Sequence, residues 1–266
     1  MKRKIGNTIL LIFAISFALN ILLTLVHALP IGPTATLYSN STRSIATNIT
    51  INESTGGGYI YTYLLNAVEQ NKRWKAYVGN VSGTLTLDDA NSNTIYSWDL
   101  GAVTGEVYAT RNSSTISWTN VNCTWAATSV FNLSAVNDTN RTIENNENQA
   151  MLHTRLDNIT ATFSQKNHTS FSVGTKSFPA NYCYSVRTYV NDTNQDTTDS
   201  ILFPEIIMTD AVNMSQAGSI LYVALIENDI SGYILGNTYD FQILVPERGS
   251  DAWVSSTAYY FYVELT

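Results

Sequence analysis

Basic residues are scarce in this chain. Past residue 28 only four lysines remain, Lys72, Lys75, Lys166 and Lys176, and 11 basic residues face 21 acidic ones, a net charge of −10. No basic cluster forms, which excludes the electrostatic footprint of a nucleic-acid binder. Histidine is scarcer still. His153 and His168 are the two in that region, and neither opens a His-Glu-x-x-His pair, so a zinc hydrolase of that kind is excluded. The Gly-x-Ser-x-Gly turn of serine hydrolases is missing, and Gly79-Asn80-Val81-Ser82-Gly83 has the wrong spacing. Gly56-Gly57-Gly58 lacks the Lys-Ser/Thr that completes a phosphate-cradling loop. A glycosidase needs only two carboxylates that meet in space, so that class stays open. No residue stands out as catalytic or cofactor-binding, and the expectation is a non-enzymatic protein.

Cysteine is limited to Cys123 and Cys183. In an oxidising compartment a lone pair forms a disulfide. The other reading is two buried thiols. A zinc site is not expected, because the neighbouring His and Cys residues do not reach a four-ligand set.

The N-terminus places the chain outside the cytosol. Lys2, Arg3 and Lys4 precede an apolar run from Ile9 to Val26, and Val26-His27-Ala28 has the small or β-branched residues of a cleavage site. This is the layout of a secretory signal over residues 1–28. Two other readings fit the same run: an uncleaved membrane anchor, or a pilin-type processing site at Lys4-Ile5-Gly6. All three put the remainder on the extracellular side, at the cell surface, with membrane contact only through that segment.

Strand signals dominate the rest of the chain. Ile45, Thr47, Ile49 and Ile51 alternate with Ala46, Asn48, Thr50 and Asn52. Residues 29–58 therefore read as an extended N-terminal strand ending in a glycine hinge. Pro30 and Pro33 keep its first residues out of any sheet, because proline donates no ladder hydrogen bond. Residues 59–266 read as the β domain, with a polar, Asn-rich division near 134–150 that leaves room for two packed sub-domains. Tyr59–Val68 is read as a strand, although its apolar residues also fit helical spacing. Further strands are expected over Trp74–Val81, Glu106–Thr110, Thr115–Trp118, Asn158–Phe163 and Tyr182–Val190. Gly83–Asp88 and Thr94–Leu100 flank Asp89-Ala90-Asn91-Ser92-Asn93 as a hairpin, since Asp and Asn bond locally to turn backbone. The last third adds Ile201–Met208, Ser219–Ile226, Tyr239–Val245 and Ala258–Leu265. Ser219–Ile226 is almost continuously apolar, which places it at a sheet centre. The fold class is all-β: an antiparallel β-sandwich, immunoglobulin-like or jelly-roll-like, after an N-terminal signal or anchor helix.

Sequons are the strongest chemical signal. Asn-x-Ser/Thr occurs at Asn40, Asn48, Asn52, Asn80, Asn112, Asn122, Asn132, Asn137, Asn140, Asn158, Asn167, Asn191 and Asn213, 13 sites in all. Random order of this composition gives about 6. A glycan must sit on exposed backbone, and the excess points to a glycoprotein. Calcium is the one cofactor with a candidate site. Asp192, Asn194 and Asp196 alternate oxygen ligands as Ca²⁺ prefers. A full calcium loop needs Gly and Glu where Thr197 and Phe203 stand, so a solvated turn is the simpler reading. Five Trp and 16 Tyr offer either core packing or a sugar-binding platform.

Arg73-Trp74-Lys75-Ala76-Tyr77-Val78-Gly79-Asn80-Val81-Ser82-Gly83, Leu85-Thr86-Leu87-Asp88-Asp89 and Tyr260-Phe261-Tyr262-Val263-Glu264-Leu265 give the chain a resemblance to secreted archaeal β-sandwich surface proteins. In layout it is also similar to the archaeal thread and bundling-pilus subunits. That likeness implies a glycosylated sandwich whose N-terminal strand completes the sheet of the next copy. The expected function is a structural surface subunit that self-associates by strand addition. The alternative is a carbohydrate-binding adhesin or surface binding module with surface glycans as partners.

Overall fold

The computed structural model describes residues 29–37, 39–41, 43, 57–58, 60–68, 70–71, 74–113, 115–123, 157, 159–195, 200–212, 218–246 and 258–266. Residues 1–28, expected to be a signal or anchor, Ile45–Asn52 and the expected division at 134–150 lie outside them.

A single central sheet organises these residues. β10 (Ile220–Leu225) lies in its middle, between β4 (Gly105–Thr110) and β9 (Pro204–Thr209). β14 (Tyr260–Leu265) pairs with β4 on one side, while β5 (Asn122–Cys123) and β8 (Ser185–Arg187) pair with β9 on the other. Every pairing is antiparallel. β10 explains its own position. Leu221, Val223 and Leu225 join one apolar cluster, and Ile220, Tyr222 and Ala224 join another. A strand covered on both faces has no use for polar alternation, hence the continuous run.

Different elements cover the two faces. On one face lie Phe171, Val173 and Phe178 of the β6 (Phe171–Val173) and β7 (Lys176–Phe178) hairpin, with Trp118 and the Cys123–Cys183 disulfide. On the other lies a ribbon of β1 (Trp74–Gly79) paired to β13 (Phe241–Pro246). Ile243 and Val245 point from it into the sheet, beside Ile159 and Phe163 of the short helix α1 (Ile159–Thr162) and its C-terminal flank. Each large side chain buried this fully contributes about 1.5–3 kcal/mol. A small pair, β11 (Ile230–Ser231) with β12 (Thr238–Tyr239), precedes β13.

The antiparallel, all-β expectation holds, and so do the central position of β10 and the hairpin of β2 (Thr84–Asp88) with β3 (Thr94–Asp99). The hairpin turn closes as its composition suggests. The Asp89 carboxylate accepts the backbone N–H of Asn91 and of Asn93, each at 2.8 Å, and Ser92 takes φ 64°.

Four local expectations fail. Residues 60–68 form no strand and are exposed. The spacing of Tyr61, Leu64, Leu65 and Val68 is not the alternation of two by which a strand buries one face. Trp118–Asn120 is a 3-10 turn, not part of a strand. It lets Trp118 wedge between Tyr108 and Tyr262 at ring distances of 5.1 and 5.2 Å. Ile159–Thr162 is helical, and the Phe163 N–H donates to Ile159 O at 2.9 Å. Apolar residues four apart satisfy a strand period and a helical turn alike, and here the turn buries both on one side. Finally, Ile31 does join a sheet despite its flanking prolines. It exchanges two backbone hydrogen bonds with Val263 of β14, at 2.9 and 2.8 Å. Pro30 and Pro33 stand beside that single bridge and limit it to one residue.

Candidate functional site

Three features of the described residues lie outside ordinary packing. The first is the outer edge of the central sheet. β14 is fully paired with β4 on its inner side. On its outer side, among the described residues, the one backbone bridge is that of Ile31 to Val263. An edge strand of this kind presents unpaired N–H and C=O groups to another chain.

The second is the β2–β3 hairpin, in which every residue of both strands is exposed. Cross-strand register sets Leu85 opposite Trp98 and Leu87 opposite Tyr96. Alternation puts these four on one face and Thr84, Thr86, Ser97 and Asp99 on the other. The apolar face is open: Leu87 is 54% exposed, Tyr96 58% and Trp98 48%. Tyr96 and Trp98 meet edge to face at 5.1 Å. A two-stranded hairpin that pairs with no other strand among the described residues is marginally stable in water, which makes its exposed apolar face a candidate contact surface.

The third is a buried carboxyl pair. Glu106 of β4 stands opposite Glu264 of β14, and both are buried. Glu264 accepts the Gly174 N–H on Oε1 and the Tyr108 hydroxyl on Oε2, each at 2.8 Å. Glu106 Oε1 accepts the Ser172 N–H at 3.4 Å, and its Oε2 is buried without a hydrogen-bond partner. Burial, with the negative charge of Glu264 beside it, pushes the Glu106 carboxyl up to about 8, against the pull of the Ser172 N–H. Burial and the two carboxyls also raise the Tyr108 hydroxyl well above its usual range. Glu106 borders a cleft of about 420 Å³ with Thr104, Thr169, Ser170, Phe171 and Ser172. No motif in the sequence singles out either glutamate. The signal available is a charged residue beside an otherwise apolar stretch, as in Val107-Tyr108-Ala109 and Phe261-Tyr262-Val263.

The cysteines are joined as a disulfide with Cα atoms 5.2 Å apart, inside the first core. His168 braces that junction. Its Nδ1 donates to Thr169 O at 2.7 Å and its Nε2 accepts the Cys183 N–H at 2.9 Å. Burial lowers its basicity.

The sequon residues fall into three groups. Asn40 and Asn80 are exposed. Asn112, Asn122, Asn167 and Asn191 are half-buried, and three of them hold neighbours: Asn112 donates to Ser219 Oγ at 2.5 Å, Asn122 to Asn120 O at 3.3 Å and Asn167 to Gln165 Oε1 at 3.0 Å. Asn48, Asn52, Asn132, Asn137, Asn140, Asn158 and Asn213 lie outside the described residues. Of the calcium candidates, Asp192 follows Asn191 in a tight turn closed between Val190 and Thr193, with φ of 50° at Asn191 and 56° at Asp192. Asn194 comes next, exposed, and Asp196 lies outside the described residues. Among the described residues, no group of three or more metal-ligating side chains comes together. Comparison with protein-family models, with curated proteins and with solved structures found no match for this chain.

Proposed function

We propose that this chain is a non-enzymatic, glycosylated structural protein of the cell surface, a filament or envelope subunit whose copies join by strand addition. The observation that carries the reading is the single Ile31–Val263 bridge on the otherwise open edge of β14, among the described residues. An edge that takes its own N-terminal segment by one residue offers the same backbone groups to a neighbour's segment. Backbone hydrogen bonds then supply affinity and side-chain pockets set the register. Such a contact is head-to-tail and does not close on itself, so it propagates as a fibre. Apolar cores on both faces of the central sheet support describing the domain as a sandwich. The resemblance to secreted archaeal surface proteins and the sequon excess support the extracellular, glycosylated setting.

The test is an engineered crosslink. Residues that exchange both hydrogen bonds of an antiparallel pair have Cα atoms about 5.5 Å apart, within disulfide reach. Ile31→Cys with Val263→Cys, oxidised in the assembled state, is expected to give a ladder of covalent oligomers on a non-reducing gel. A product that is monomeric at every concentration would show that the segment only folds back on its own sheet.

A second reading is a carbohydrate-binding surface module, favoured by the exposed Tyr96–Trp98 pair. Aromatic faces stack on the apolar faces of sugar rings. Glycan-array binding lost in Trp98→Ala would favour it over the filament.

A further inference from the structure

We propose that the fold sorts the sequons: Asn80, in the connection between β1 and β2, carries an N-linked glycan, while Asn112, Asn122 and Asn167 stay bare because the fold uses their side-chain amides. The inference rests on the glycosylated reading above and assigns the sugar to particular positions.

The chemistry sets the requirement. In N-glycosylation the Asn Nδ2 gives up one hydrogen and bonds to C1 of a sugar carried on a lipid phosphate. The lipid phosphate leaves, and the proton is released with it. The amide must therefore reach a transferase and have room for a bulky group, which calls for exposed backbone.

Asn80 meets that requirement. β1 ends at Gly79 and β2 begins at Thr84, so Asn80-Val81-Ser82 lies between them. Exposure alternates along the connection: Asn80 and Ser82 are exposed, Val81 and Gly83 half-buried. The inward residues are held. The Val81 N–H donates to Asp240 Oδ2 at 2.7 Å, and Gly79 O accepts the Asp240 N–H at 2.9 Å. Gly83 is pressed against β14, where a Cβ would fall 2.3 Å from Leu265 Cδ1. A connection fixed on that side keeps the Asn80 amide and the Ser82 hydroxyl, the two groups a sequon needs, on the solvent side.

Asn122 is the opposite case. It lies in β5, paired with Thr209 of β9, and the middle residue of its sequon is the buried, disulfide-bonded Cys123. Its Nδ2 donates to Asn120 O at 3.3 Å. Its Oδ1 accepts from the Lys176 ammonium of β7, which also donates to Val121 O at 3.0 Å. Asn122 thus helps to tie the β6–β7 hairpin to β5, and a sugar on its amide competes with both contacts. Asn112 and Asn167 are half-buried, and each spends Nδ2 on a neighbour, Ser219 Oγ and Gln165 Oε1. Asn167 is held further by its backbone N–H, which donates to the buried Ser185 Oγ at 2.9 Å.

Site-resolved glycopeptide mass spectrometry on the native protein from its own host tests the sorting. The peptide covering Asn80 should carry sugar, and those covering Asn112, Asn122 and Asn167 should have their unmodified masses. Variants that break a sequon at its third residue leave the Asn in place. Ser82→Ala should remove one glycan from the intact mass, whereas Thr124→Val should change it by the substitution alone. Sugar on Asn112, Asn122 or Asn167, or a bare Asn80 in a protein glycosylated elsewhere, overturns the sorting and leaves the glycoprotein reading standing. A native protein with no glycan at any position overturns both.

Discussion

The hydroxyl of Tyr108 donates to the carboxylate of Glu264 at 2.8 Å, joining β4 to β14 inside the core. The bond ties together two strands 156 residues apart in sequence. A hydrogen bond to a charged partner contributes about 1.5–3 kcal/mol, more than a neutral one.

Tyr108→Phe keeps the ring contact with Trp118 and removes only that donor. The variant should unfold at lower urea concentration with an unchanged slope, a loss of about 1.5–3 kcal/mol. An unchanged midpoint would mean that the hydroxyl contributes nothing and that the cluster is held by its rings alone.

His168 gives the opposite pH dependence to Glu106. Burial lowers its pKa from 6.5, and the nearby Lys166 charge adds to that. A depressed histidine favours the fold while neutral, so its contribution is complete above pH 6.5 and is lost as pH falls below it. Melting temperature should therefore drop on acidification from pH 7 to 5. His168→Gln should reduce that drop at the expense of overall stability. If wild type and variant lose stability in parallel over this range, another group is responsible.

Much of the fold was legible because its signals are local. The apolar run of β10 announces a strand buried on both sides. Asp89 with its neighbouring Asn residues announces the β2–β3 turn. The features of the candidate site are set by register between distant strands, which no local pattern encodes. Nothing around Glu106 says that Glu264 will stand opposite it. Alternation in Leu85, Leu87, Tyr96 and Trp98 correctly assigns one apolar face, but alternation is the same whether that face meets a core or water. Ile159 and Phe163 show the remaining ambiguity, since a spacing of four suits a strand and a helical turn equally.

The disulfide makes a prediction of its own. Cys123 and Cys183 close a loop with a sequence separation of 60. Chain-entropy reasoning assigns such a loop about 4 kcal/mol. The double variant Cys123→Ser, Cys183→Ser should lose stability on that scale and become protease-sensitive between the two positions. Cleavage and melting equal to wild type would show that packing alone holds this part of the fold.

The exposed hairpin yields the last prediction. Leu85, Leu87, Tyr96 and Trp98 lie on one exposed face of the β2–β3 ribbon and join neither apolar core. Side chains outside the core add little to the monomer's stability, within about 0.5 kcal/mol on substitution. The same side chains add substantially to any contact that buries them, about 25 cal/mol for each Å² of apolar surface removed from water. On the strand-addition reading proposed above, a second copy is the partner expected to cover this face. Leu87→Ser with Trp98→Ser should therefore leave the monomer's melting temperature nearly unchanged and shift assembly to higher protein concentration. Sedimentation velocity over a concentration series reads both species. Assembly at the wild-type concentration would remove the hairpin from the interface. Intact assembly with lost glycan binding would assign this face to sugars instead.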